Sequence, residues 1–364
     1  MRIESKRRLL ALVAAVLVTA GAAIAFAVAQ PTASAAGKPS IIWLEQGAGN
    51  PAWDQQHKAA AEAGRRLGFT FKAVSGNLNP TDQANILKQL VDQKPSAIIL
   101  NALDPKTVTP SLDYAKQKGV PVLSVYAIIP HATASVTFDE LRSGRVAAIE
   151  AIKLLKQRYG KPEGQIAVLE GVLGQPASDL RAKGFLDYMK KFPGVKIVAV
   201  QPTDWTADKA SAAAQAWLVK YPKLSMIYSL SDTIGSPAAN VVQRQNRLCT
   251  QQKTWTQNPD CIMFVSVDGV FFNELVNGRF FSTELYALPW AGYTYGALAY
   301  KLATHKALPK ATVLKSLLAT AANAKCVNKM QNAMTSQQHT FPFNLPSLQA
   351  IAKKFGCQVL DNNE

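Results

Sequence analysis

The sequence predicts an α/β protein made of two doubly wound parallel-sheet (Rossmann-like) lobes, and two observations carry that prediction. Short apolar runs alternate with helical patterns along most of the 364 residues, and the rhythm starts twice. The runs are nearly continuous rather than alternating, as strands buried on both faces of a parallel sheet require. The halves even echo each other, "KGVPVLSV" in the first and "PGVKIVAV" in the second. A chain of this length can bury two cores.

In the first half, strands are predicted over residues 41–44, 69–74, 97–100, 121–125 and 135–138. Asn79-Pro80 opens one of the intervening helices, since Asn can cap free N–H groups and Pro is pre-set for a first turn. Ala84, Leu87, Leu90 and Val91 then supply an apolar stripe at helical spacing. Gly68, Pro95 and Gly119 stop successive helices before the next strand. A helical stretch over 142–158 leads into strands over 166–169, 196–200, 224–228 and 262–267.

The N-terminus has a different character. Arg2, Lys6, Arg7 and Arg8 precede an apolar run over 9–29, followed by Ala33-Ser34-Ala35. That is the pattern of a signal peptide, residues 1–35, cleaved near Ala35; an uncleaved anchor is the alternative. No cysteine stands at the cleavage point, which argues against a lipid anchor. The four cysteines fit export as disulfides, because no histidine is spaced to complete a metal site; of the three pairings they allow, the sequence-local one, Cys249–Cys261 with Cys326–Cys357, is preferred. The formal charge of +16 becomes +13 without residues 1–35, which hold four basic residues and one acidic. With no basic runs interleaved with aromatics, the excess reads as a solvated surface suited to an anionic membrane face rather than to nucleic acid.

Ligands of open parallel sheets bind beyond the carboxyl ends of the strands. The residues there are rich in aromatics, carboxylates and amides and contain no histidine. No Gly-x-Ser-x-Gly elbow or phosphate loop occurs, and "GVLG" at 171–174 lacks the rest of a dinucleotide fingerprint. Asp139 and Glu140, adjacent on an extended chain, would point to opposite faces and not share a proton. The sequence therefore predicts no enzyme, no cofactor and no metal, but a binder of a small polar ring: aromatic faces for its C–H groups, carboxylates and amides for its hydroxyls.

Seven passages spread along the chain resemble the periplasmic sugar-binding proteins of ABC importers, the ribose-binding type: "GNPAWDQQHKAAAEAGRRLG", "NPTDQANILKQLVDQKPSAIILNALDP", "GVPVLSV", "LEGVLGQPASDLRAKGF", "QPTDW", "YSLSDTIGSPAANVVQ" and "VSVDG". The resemblance implies a three-strand hinge, with an N-terminal lobe of 38–138 plus 289–325 and a C-terminal lobe of 139–288. Residues 326–364 are left as a disulfide-linked extension. It further implies a periplasmic monomer that delivers its small-molecule ligand to a membrane permease, with a membrane chemoreceptor or sensor as the alternative partner. Carried over position by position, it makes Asn50 and Trp53 a stacking turn, Trp205 a second stacking wall, Arg181 a fork for ligand oxygens, and Asp268 the holder of ring hydroxyls. Tyr126, Ser231 and Asp139 join these five as eight expected ligand-binding residues, and Glu45, Gln46 and Asp104 are further candidate contacts.

The departures shape the expected ligand. Tyr126-Ala127 stands where ribose binders have an Asp-Arg clamp, Ser231 replaces an asparagine, Ala52 replaces an aromatic, and Tyr286-Ala287 replaces a glutamine. Asp232 keeps a structural role at a helix start. Fewer polar clamps and an added aromatic argue against ribose. They favour a deoxy or substituted sugar, a cyclic polyol, or a purine-like or aromatic compound.

Overall fold

The computed structural model describes residues 37–343 and 347–360. The signal-segment reading of residues 1–35 lies outside them, as does the end of the C-terminal extension. Among the described residues, no helix is long and apolar enough to cross a membrane.

The first half runs β1 (Ser40–Glu45), α1 (Pro51–Leu67), β2 (Thr70–Ser75), α2 (Pro80–Asp92), β3 (Ala97–Leu100), α3 (Pro105–Gln117), β4 (Val122–Val125) and β5 (Ala134–Phe138). The second runs α4 (Glu140–Tyr159), β6 (Gly164–Glu170), α5 (Pro176–Met189), β7 (Val195–Pro202), α6 (Ala207–Lys220), β8 (Leu224–Ser229), α7 (Asp232–Arg244), β9 (Met263–Asp268), α8 (Asn273–Val276) and β10 (Ser282–Leu285). The chain ends with α9 (Leu288–Ala303), β11 (Ala311–Leu314), β12 (Leu317–Thr320), α10 (Ala324–Ser336) and α11 (Leu348–Lys354).

Two six-stranded sheets result, β11-β5-β4-β3-β1-β2 and β12-β10-β9-β8-β6-β7. Every pairing is parallel except β10 with β12. The expected fold class is observed, and the period-2 geometry of a strand explains why its runs are so apolar. In β1, Ile41 and Trp43 pack among α1 and α9, while Ile42 and Leu44 pack among Leu87 and Leu90 of α2 and Val108 and Leu112 of α3. In β6, Ile166 and Val168 meet Ala148 of α4 and Phe185 of α5, while Ala167 and Leu169 meet Ala214 and Trp217 of α6. Both faces are buried, so neither set can be polar.

Helix openings follow the sequence signals. Asn79 accepts from Thr81 N–H and Asp82 N–H, and Asn50 accepts from Ala52 N–H ahead of Pro51. Cys249–Cys261 and Cys326–Cys357 are both bonded, as expected. The chain passes between sheets three times: from β5 to α4, from β10 to α9, and from β11 to β12. The last passage corrects the segment 289–325, expected to lie wholly in the first lobe. Leu317–Thr320 instead pairs with β10 of the second sheet, because β12 finds its hydrogen bonds on that edge.

Candidate ligand site between the two sheets

The strands of both sheets end toward a shared cavity of about 50 Å³. From the first sheet's side it is lined by Gln46 after β1, Asn50 and Trp53 at the start of α1, Asn101 after β3 and Tyr126 after β4. From the second come Gln175 and Arg181 around the start of α5, Trp205 after β7, Ser231 and Thr233 at α7, and Asp268 at the end of β9. Seven of the eight residues named from sequence thus converge: Asn50, Trp53, Tyr126, Arg181, Trp205, Ser231 and Asp268.

The eighth does not. Asp139 is exposed and caps α4, its Oδ1 accepting from Arg142 N–H at 3.0 Å. The inward carboxylate of that pair is Glu140, 2 % exposed. Its Oε2 accepts from Arg181 Nε at 2.6 Å and from the hydroxyl of Tyr286. The reason is local: the chain turns helical after Asp139, and a cap side chain folds back on its own helix instead of reaching inward. Asp104 is likewise a cap, of α3. Glu45 lies behind the cavity with Oε2 at 3.5 Å from His57 Nε2, and Asn101 links it to Gln46. Gln175, Thr233 and Glu140 were not foreseen as site residues.

Arg181 is the centre of the charged floor. Besides Glu140 it donates to Leu230 O at 2.7 Å, lies 3.5 Å from Asp268 Oδ2, and sits over the Tyr286 ring at 4.8 Å. A surface ion pair with Asp179 or Asp187 does not form; Asp187 holds Lys183 and Lys190 instead. Trp205 is fixed by an indole N–H bond to Gln175 Oε1 at 2.8 Å. Its ring leaves no room for a side chain at residue 171, where a Cβ would lie 2.0 Å from the indole, so glycine is required there. Tyr126 receives an amide N–H from Gln56 at its hydroxyl. Tyr126, Trp205 and Asp268 all have positive φ, at 63°, 59° and 74°. For non-glycine residues such geometry costs about 1–3 kcal/mol each and recurs at ligand clamps, where surrounding structure enforces it.

Burial sets the electrostatics. The Asp268 carboxyl is pushed up to about 6, with Arg181 pulling the other way, and its Oδ1 has no hydrogen-bond partner in the protein. Glu284, beneath the third passage between sheets, is pushed up to about 7 by burial against the opposing pull of Ser316 and Arg142, whose Nη1 lies 3.8 Å away. Glu45, Glu170 and Asp232 move the same way. Carboxyls raised in the folded state contribute stability that is complete below their unfolded values and lost as pH rises through the folded ones. The ligand-free protein is therefore expected to melt higher near pH 5 than near pH 8. Melts across that range check this, and a flat or rising profile would mean these groups are ordinary.

A model of the "Periplasmic binding protein domain" matches residues 41–307. The chain belongs to the periplasmic binding proteins. That family is one of solute-binding proteins. The xylitol-binding protein of Mycolicibacterium smegmatis is 25% identical over 216 residues, 58% of this chain and 57% of that protein. The D-allose-binding periplasmic protein of Escherichia coli is 24% identical over 207 residues, 53% of this chain and 64% of that one. The aligned region thus spans under two thirds of these relatives' own lengths. Among solved structures, a protein from Mycobacterium smegmatis in complex with β-D-fucofuranose superimposes with a TM-score of 0.72 at 20% identity, covering 89% of this chain and 100% of that one. A carbohydrate transporter solute-binding protein from Agrobacterium radiobacter, in complex with D-arabinose, gives 0.71 at 20% identity, covering 84% and 98%. At such identities the superpositions speak for the fold of this binding protein and not for its ligand.

Proposed function

We propose that this periplasmic binding protein captures a small sugar or polyol between its two sheets and delivers it to an ABC importer. One observation carries the reading: groups from both sheets converge on one cavity in complementary kinds. Trp53 and Tyr126 from one side and Trp205 from the other offer faces for C–H groups, while Asp268 and Arg181 offer an acceptor and a donor for hydroxyls. A ligand held from both sides favours the closed arrangement over the open one, and its capture is hinge closure at the three passages between sheets. Residues 1–35 act as the export signal in this reading, and the protein works outside the cytoplasmic membrane as a monomer that binds but does not transform its ligand.

The cavity of about 50 Å³ favours a small ligand. Relatives named for xylitol, D-apiose and D-allose support this class. The purified protein, melted with pentoses, hexoses, linear and cyclic polyols, purines and aromatic acids, tests it, since a ligand of the folded state raises the midpoint by an amount set by ln(1 + [L]/Kd). A sugar or polyol is expected to shift it. A shift from purines or aromatic acids alone would overturn the sugar reading and give Tyr126 the role of a flat-ring clamp.

A further inference from the structure

The extension after β12, described over residues 324–343 and 347–360, has its base on one sheet and its tip across the hinge. At the base, Asn323 is 3% exposed and accepts from Thr320 N–H at 3.0 Å. Its amide donates to Leu318 O at 3.0 Å and to Gln358 O at 3.1 Å, which joins β12 to both the start and the end of the extension. Leu360 forms an antiparallel bridge with Leu318, and Cys326–Cys357 ties the first turn of α10 to the returning chain. Both legs are thereby held on β12, the edge strand of the second sheet.

The tip lies on α1 and α9, which pack against the first sheet. Lys58, Glu62 and Arg66 follow one another at spacings of four along one face of α1. Arg66 donates through Nη1 to Phe341 O at 3.0 Å and through Nη2 to Gln338 O, while Gln338 Nε2 donates to Lys58 O at 3.1 Å. His339 Nδ1 stands 3.0 Å from Glu62 Oε2, and the Phe343 ring stacks on Tyr293 of α9 with centroids 4.8 Å apart. Between base and tip, Gln349 Nε2 donates at 2.7 Å to Ser316 O, on the β11–β12 passage itself.

We propose that the extension is a clasp across the hinge, which favours the arrangement with both sheets facing the inter-sheet cavity and so tightens ligand capture. The proposal rests on the hinge-closure reading given above. The base moves with the second sheet and the tip with the first lobe, so rotating one against the other must part contacts at one end. Cys326–Cys357 keeps both legs on β12, so the strain falls on the tip. The contacts are complete in the arrangement that gathers Trp53 and Tyr126 with Arg181, Trp205 and Asp268. Losing them on opening lowers the open population. A binder with more of its molecules in the competent arrangement shows a tighter apparent Kd.

The test frees the tip with the double substitution Arg66→Gln and Gln338→Ala in the full protein. Small-angle X-ray scattering compares it with the wild type without ligand, and calorimetry titrates both with xylitol and D-allose. The ligand-free variant is expected to have the larger radius of gyration, and its apparent Kd is expected to weaken about three- to tenfold. Saturating ligand should bring the two radii together. Freeing the base with Cys326→Ser and Cys357→Ser should act in the same direction, and it replaces the first variant should that one melt early. Equal radii of the ligand-free proteins overturn the clasp, even where the variant melts lower. A smaller radius in the variant also overturns it, since the extension would then hold the lobes apart. If neither probe binds the wild type, the sugar reading is at fault, and the ligand-free radii alone decide the clasp.

Discussion

Replacing Arg181 with methionine is expected to destabilise the protein by about 3–5 kcal/mol near neutral pH. The guanidinium is 4% exposed and serves Glu140, Leu230 O and Asp268 at once. Methionine keeps much of the stem's packing against Tyr286 but leaves two buried carboxylates facing no cation. Breaking a buried pair from one side is far costlier than never having made it, because the stranded charge keeps its full desolvation penalty. Two consequences distinguish this from a simple packing loss. Asp268 is already pushed up to about 6 and relieves itself by taking up a proton, so the deficit should narrow as pH falls toward 5. Adding Glu140→Gln should recover a large part of it, since the two sites share one network. Urea unfolding of the three proteins at two pH values reads all of this. A loss under about 1 kcal/mol, or one that Glu140→Gln deepens, would mean the floor of the cavity is not held by charge pairing.

Legibility from sequence followed the physics of burial. The nine predicted strands are all found: seven are covered on both faces and so write themselves as apolar runs, while the edge strands Thr70–Ser75 and Val195–Pro202, largely uncovered, are legible from the strand–helix rhythm. Three strands escape: Ser282–Leu285, buried inside its sheet but carrying Ser, Thr and Glu where an apolar run would be expected, and two at the sheet edges. Ala311–Leu314 is half exposed and pairs with residues 135–138, and Leu317–Thr320 pairs antiparallel with β10. Nothing local specifies such partners, only the edges left open by the rest of the sheet. The site divides the same way. Tyr126, Trp205 and Asp268 lie at or just past strand ends and Trp53 in the first turn of the helix after β1, where position along the chain implies position in space. Asp139 does not line the cavity: the alternation rule separates it from Glu140 but does not say which faces inward, and the helix beginning at Glu140 decides that. Gln175 is set by its bond to an indole thirty residues on. That contact follows from the positive φ of Trp205 and the missing side chain of Gly171, which no spacing rule encodes.

Asp268→Asn is the substitution expected to strike ligand binding hardest for the least structural disturbance. Alanine at this position would confuse two effects. The residue has φ of 74°, where Asn and Asp are tolerated and a Cβ-only side chain gains nothing in return, so an alanine variant pays in backbone strain as well as in lost contact. Asparagine keeps the shape and the tolerance and removes only the charge. Because charge-assisted hydrogen bonds contribute about 1.5–3 kcal/mol, affinity for the sugar or polyol should fall at least tenfold. The ligand-free protein should hold its stability at pH 8, since the variant also relieves a buried carboxylate whose Oδ1 has no partner. The wild type adds an internal control of sign. Its ligand needs Asp268 ionised, so affinity should weaken as pH drops below about 6, while the ligand-free protein becomes more stable over the same interval. In the asparagine variant the first of these trends should vanish. Calorimetric titration of both proteins between pH 5 and 8 measures it. Equal affinities at pH 8, or a pH dependence that survives the substitution, would remove Asp268 from the ligand and leave the inter-sheet cavity without its principal acceptor.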